Sequence, residues 1–137
     1  MIHKGTDRLL RIGPLMEVGV QRAQEGAPKH PAIALIDTGA SASCIDLALA
    51  QALNLDAAGI ATVQSHHGTT QRPVYRGVIY FGQRWIDLRL TGVALPGDHE
   101  ITPYRVLIGR DALSFGRFAY DGPAGTFRLD FPPASEG

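Results

Sequence analysis

An all-β chain, mainly strands with one or two short helices, is what this sequence predicts, and three observations carry that reading. The 16 Gly and 9 Pro are spread along all 137 residues, dividing the chain into many short elements joined by turns. Residues 32–36 form a short apolar run bounded by Pro31 and Gly39, suited to a strand buried on both faces. Near the end, Phe127, Leu129 and Phe131 alternate with Arg128 and Asp130, the two-residue period of a half-buried strand.

The elements follow in order. Residues 1–13 read as an N-terminal arm, and residues 15–20 alternate weakly as a strand. After the apolar run comes one helix, over about residues 45–53. Ser43 with Asp46 three positions on resembles a capping box, and Ala48, Leu49, Ala52 and Leu53 supply an apolar face. Further strands fit residues 61–64, 74–81, 85–90 and 104–108. Residues 115–131 read as a hairpin turning at Asp121-Gly122-Pro123-Ala124-Gly125, and residues 132–137 as a loose tail. No repeat, low-complexity tract or linker interrupts the chain, so residues 1–137 read as a single domain with one modest core.

Composition narrows the function classes. Thirteen basic residues balance thirteen acidic ones, which argues against nucleic acid or a membrane surface as a partner. The basic set is 11 Arg to 2 Lys, favouring fixed, fork-shaped ion pairs. A single cysteine, Cys44, rules out an internal disulfide and fits a reducing, cytoplasmic compartment. The longest apolar run, residues 32–36, falls far short of the ~20 residues of a membrane-spanning helix, and the N-terminus has no secretory pattern.

The chemistry begins at Asp37-Thr38-Gly39-Ala40, where a carboxylate follows directly on a buried apolar strand. Thr38 offers a hydroxyl to the backbone, and Gly39 lets another chain or a ligand come close. Downstream, Val106-Leu107-Ile108-Gly109-Arg110-Asp111-Ala112-Leu113 is an apolar strand ending in Gly and then a short helix-like turn. With these two elements in this order, the sequence resembles the retropepsin-like aspartic peptidases, the retroviral proteases and their single-domain relatives. The first family element is matched by Leu35-Ile36-Asp37-Thr38-Gly39-Ala40 and the second by Leu107-Ile108-Gly109-Arg110-Asp111-Ala112-Leu113, and the likeness extends from about Pro14 to Phe131.

The resemblance implies a closed, barrel-like acid protease fold of a single lobe and an aspartic endopeptidase with no cofactor. Asp37 is the implied catalytic acid, Thr38, Gly39 and Ala40 its supporting loop, and Ile108, Gly109 and Arg110 the second support, Gly109 allowing a close crossing. Carboxylate peptide hydrolysis needs two acids sharing a proton. This chain has one Asp-Thr-Gly, so the implied unit is a two-fold homodimer acting on a peptide or protein. Ala40 lacks the hydroxyl that Ser or Thr offers the carboxylate, which points to a mildly acidic to near-neutral activity optimum. The implied substrate-covering flap lies at about residues 64–75, with His66, His67, Gly68 and Thr69 at its tip.

Other features are weighed against these. His66-His67 with His99 or Cys44 lacks a recognisable metal-ligand spacing, so no metal is expected. Cys44 reads as a small core residue rather than a reactive thiolate. Gly39-Ala40-Ser41-Ala42-Ser43 departs from the hydrolase elbow at its last position. Arg72, Arg76, Arg84 and Arg89 read as a solvated strand face. Arg110 lacks the family's usual acid, since Ser41 holds that position, so its partner is expected in Asp111 or in an acid across the dimer. The free edge of the terminal strand, with residues 9–12, is expected to pair with a second chain. The competing function is an inactive dimerisation or peptide-binding module on the same fold.

Overall fold

The computed structural model describes residues 2–4 and 7–133. Among these described residues ten strands and three short helices follow one another, and the mainly β class is as the turn-rich sequence predicts. Strands β2 (Leu15–Gln21) and β3 (His30–Ile36) form an antiparallel pair. Next come β4 (Cys44–Asp46) and helix α2 (Leu47–Ala52), then the long strands β5 (Asp56–Ser65), β6 (Gly68–Phe81) and β7 (Arg84–Val93). Strand β8 (Val106–Ile108) leads into helix α3 (Arg110–Leu113) and the hairpin β9 (Arg117–Asp121) and β10 (Thr126–Asp130). Strand β1 (Ile2–Lys4) and helix α1 (Asp7–Arg11) precede them all.

The larger sheet runs β2-β3-β8-β4-β7-β6-β5, and an added β2–β6 pairing closes six of its strands into a ring with β5 outside. The ring encloses the core. Val20, Ile45, Ile79, Leu90, Val106 and Ile108 are fully buried there, where removal of apolar surface from water drives folding. The apolar run of β3 sits between β2 and β8, and its Ile36 lies opposite Ile108 in parallel register. That register brings the ends of both sequence motifs to the same rim of the ring.

Several expectations change. Residues 44–46 are strand, paired to both β7 and β8, so the helix begins at Leu47. The capping box does not form: Asp46 stands at the helix start without a side-chain cap, and its carboxylate instead accepts the Leu95 amide at 3.1 Å. Tertiary pairing has overridden the local helix signal. The expected short strands at 61–64 and 74–81 extend into β5 and β6, whose outer parts are exposed on both faces and so carry no alternation to read.

The C-terminal hairpin forms where the alternation places it, with Phe127 and Leu129 buried. Its expected free edge does not exist, because β10 lies between β9 and β1, with Ile2 opposite Arg128 and Lys4 opposite Thr126. Residues 9–11, expected to join a sheet, belong to α1, whose Leu9 sinks into the core. Of the expected tail, Pro132 and Pro133 are exposed and outside regular structure, and residues 134–137 lie outside the described residues.

Candidate active site

Asp37 stands at the end of β3, where its amide donates to the Ile108 carbonyl at 2.8 Å and carries the pairing with β8 one residue beyond the strand. The chain then turns sharply. The Ala40 amide reaches back to the Asp37 carbonyl at 3.2 Å, and the Gly39 amide donates to the Asp37 carboxylate at 3.0 Å. A backbone donor thus orients the carboxylate, which stays half-exposed while Thr38 and Gly39 are exposed and Ala40 is half-buried.

The second motif locks this turn from behind. Ile108 and Gly109 are buried, and a Cβ on Gly109 would lie 2.8 Å from the Ala42 carbonyl carbon and 2.9 Å from the Ala40 and Ala42 oxygens. The obstacle is the backbone of the loop at residues 40–42, so only glycine permits this crossing. Immediately after it, the Arg110 amide donates to the Ala40 carbonyl at 2.8 Å, and its guanidinium donates to the Thr38 carbonyl at 2.8 Å. Arg110 therefore grips the backbone of the loop, whereas Asp111 is engaged elsewhere.

Two residues not singled out for this role complete the corner. Ser43 is fully buried; its hydroxyl donates to Asp111 at 2.6 Å and accepts the Gly109 amide at 3.0 Å. Its own amide donates to the other Asp111 oxygen at 2.9 Å, and its carbonyl accepts the Thr91 amide at 3.1 Å. Asp111 also accepts the Ala112 amide at 2.8 Å at the start of α3. Ser43 was legible only as a cap and Asp111 only as a partner for Arg110. The real pairing joins residues separated by 68 positions, which no local spacing encodes.

Cys44 is half-buried on β4 beside this corner. Burial first, then the negative charges of Asp111 and Asp37, hold its thiol above the ordinary value, with Arg72 acting in the opposite sense. It is thus a neutral lining group at neutral pH rather than a thiolate.

The β5–β6 hairpin turns at His66 and His67, and Gly68 takes φ +111°, a backbone conformation that favours glycine. Residues 64–71 are all exposed, and among the described residues the tip bonds only locally, the His67 amide and the Gly68 carbonyl both meeting the Ser65 hydroxyl. The structure does not bring the histidines together with His99 or Cys44: among the described residues no three potential metal ligands cluster. On the β6–β7 face Arg76 pairs with Asp87 at 2.7 Å and Arg89 donates to the Ala58 carbonyl, so these two cations are partnered as well as exposed.

A family model described as Aspartyl protease matches residues 24–111, a span that contains Asp37 and the second motif as far as Asp111. The chain belongs to the retropepsin-like aspartyl protease family. Among solved structures, the retropepsin-like aspartic protease from Rickettsia conorii is similar at 18% identity and TM-score 0.54, covering 86% of this chain and 92% of that one. The EIAV protease is similar at 20% identity and TM-score 0.53, over 74% of this chain and 85% of that one. At such identities these likenesses speak for the retropepsin-like fold. Comparison with curated proteins gives no match.

Proposed function

We propose that the protein is an aspartic endopeptidase whose working unit is a two-fold homodimer, with Asp37 and its symmetry mate facing one water across the axis. The observation that carries this is the Asp37 carboxylate, half-exposed at the rim of the ring, oriented by the Gly39 amide and backed by the buried Gly109 crossing. Two carboxylates about 3 Å apart do not both ionise, so the pair holds one proton. The ionised acid takes a proton from the water as its oxygen attacks the peptide carbonyl, and the protonated acid donates to the carbonyl oxygen. Collapse of the tetrahedral species passes a proton to the leaving amine and returns the pair to its shared-proton state. In this reading Thr38, Gly39 and Ala40 hold the acid, Ile108, Gly109 and Arg110 brace it, and His66, His67, Gly68 and Thr69 form the tip of a flap over the peptide.

The test is cleavage of a diverse peptide library by wild type and Asp37→Asn, with and without a chelator. Wild type is expected to cleave regardless of chelator, and the variant to lose about 10²–10⁴-fold in rate with its melting temperature retained. Equal activity in the variant, or a wild-type chain that stays monomeric at high micromolar concentration with peptide present, refutes the proposal. Peptide binding without cleavage by either protein assigns the fold to a binding module instead.

A further inference from the structure

We infer that β9 is the strand through which two copies of this chain pair, antiparallel and centred on Ala119. The inference rests on the dimeric reading above and names the surface that builds the dimer. Among the described residues the three-stranded sheet β1-β10-β9 pairs β10 on both sides, so there β9 is an edge with one side of its backbone uncommitted within the sheet. An edge strand of this kind is a template for another strand. Helix α3 and a link of three residues join β9 to Gly109, so this edge is tied by a short segment to the corner that holds Asp37.

The side chains of β9 are matched to a second copy of themselves. Tyr120 and Phe118 lie opposite Phe127 and Leu129 of β10, and paired residues share a face of the sheet. Phe127 and Leu129 are buried, Phe118 packs against Phe127 with ring centroids 6.1 Å apart, but Tyr120 is 52% exposed. The apolar stripe therefore runs to the sheet edge and stops uncovered. On the other face stand Arg117, Ala119 and Asp121, all exposed. The strand reads Arg117-Phe118-Ala119-Tyr120-Asp121, and a two-fold axis at Ala119 sets Arg117 against Asp121 of the second copy, Phe118 against Tyr120, and the reverse at the other end. Opposite charges and aromatic pairs thus fall at cross-strand positions, and the uncovered Tyr120 is capped by the other Phe118. Such an isologous contact closes with two copies and does not propagate.

The charge pattern supplies the test, read by sedimentation equilibrium alongside peptidase activity on the full chain. Arg117→Asp sets acid against acid at both ends of the contact, and Asp121→Arg sets base against base. Each is expected to weaken self-association at least about tenfold, with activity falling in parallel at concentrations near the dissociation constant. Mixed one to one, the two single variants carry complementary strands and are expected to dimerise with each other at near wild-type affinity. The doubly exchanged R117D/D121R chain is likewise expected to self-associate. Asp121 also accepts the Ala124 amide in its own turn, so a thermal melt accompanies every variant and the Arg117→Asp chain supplies an arm free of that bond. A wild-type dimer with Asp37-dependent activity whose affinity ignores both charge changes overturns the β9 assignment and leaves the dimeric peptidase intact. Weakened folded single variants that fail to recover in the mixture overturn it too. A wild-type chain monomeric at high micromolar concentration removes both.

Discussion

Between Asp37 and Ser43 nearly every turn of the chain is held from another element, whereas the β5–β6 hairpin from residue 64 to residue 71 is held only by its own two strands. The Asp37 corner takes its amide and side-chain bonds from β8, α3 and β7, with a buried glycine at the crossing. The hairpin tip is exposed throughout and bonds to itself. Few buried contacts and a solvated backbone mark a segment that opens at low free-energy cost, and one braced by bonds from several other elements opens at a higher cost. The function proposed above calls for both: an acid that does not drift and a cover that admits a peptide.

Four variants break or sharpen that contrast. The largest effect is expected from Gly109→Ala, which sets a methyl against the backbone of residues 40–42. Overpacking against groups that cannot yield should cost toward the upper end of ~1–3 kcal/mol in urea unfolding, with activity lost alongside. A cost under about 0.5 kcal/mol, the size of an ordinary surface change, would show the corner to be pliant. Next, Ser43→Ala removes the bridge to Asp111 and leaves the buried Gly109 amide without its acceptor, an expected loss of about 1–2 kcal/mol by the same measurement.

At the hairpin the balance reverses. His66→Ala with His67→Ala should leave stability within about 0.5 kcal/mol while raising KM for peptide several-fold more than it lowers kcat. A large loss of stability there would erase the distinction between the two regions. The smallest effect concerns Cys44. Its thiol is held above its ordinary 9.0, so above that pH the unfolded chain loses a proton that the folded chain keeps, and stability falls as pH rises through the folded value. Urea midpoints should therefore decline more steeply above about pH 9 in wild type than in Cys44→Ala.

The same contrast explains what could be read in advance. The Asp37 and Gly109 motifs and the β9–β10 hairpin carry their signals locally, as apolar runs, glycines and alternation. Strands β5 and β6 were only partly legible because their outer halves have no buried face to impose a period. Residues 44–46 misled in the other direction: a good helix start was taken into strand by β7 and β8, whose ladder bonds outweigh one capping interaction.

By itself the sequence determined the mainly β class, the order of the two motifs and the single Asp-Thr-Gly per chain, because each depends on neighbours a few residues apart. Tertiary structure alone decided that Ser43 joins Asp111, that Arg110 grips the Thr38 carbonyl, and that β1 occupies the edge of β10 and leaves β9 outermost. Those choices are made between groups brought together only when the ring closes, by which bonds remain to be satisfied once water has left.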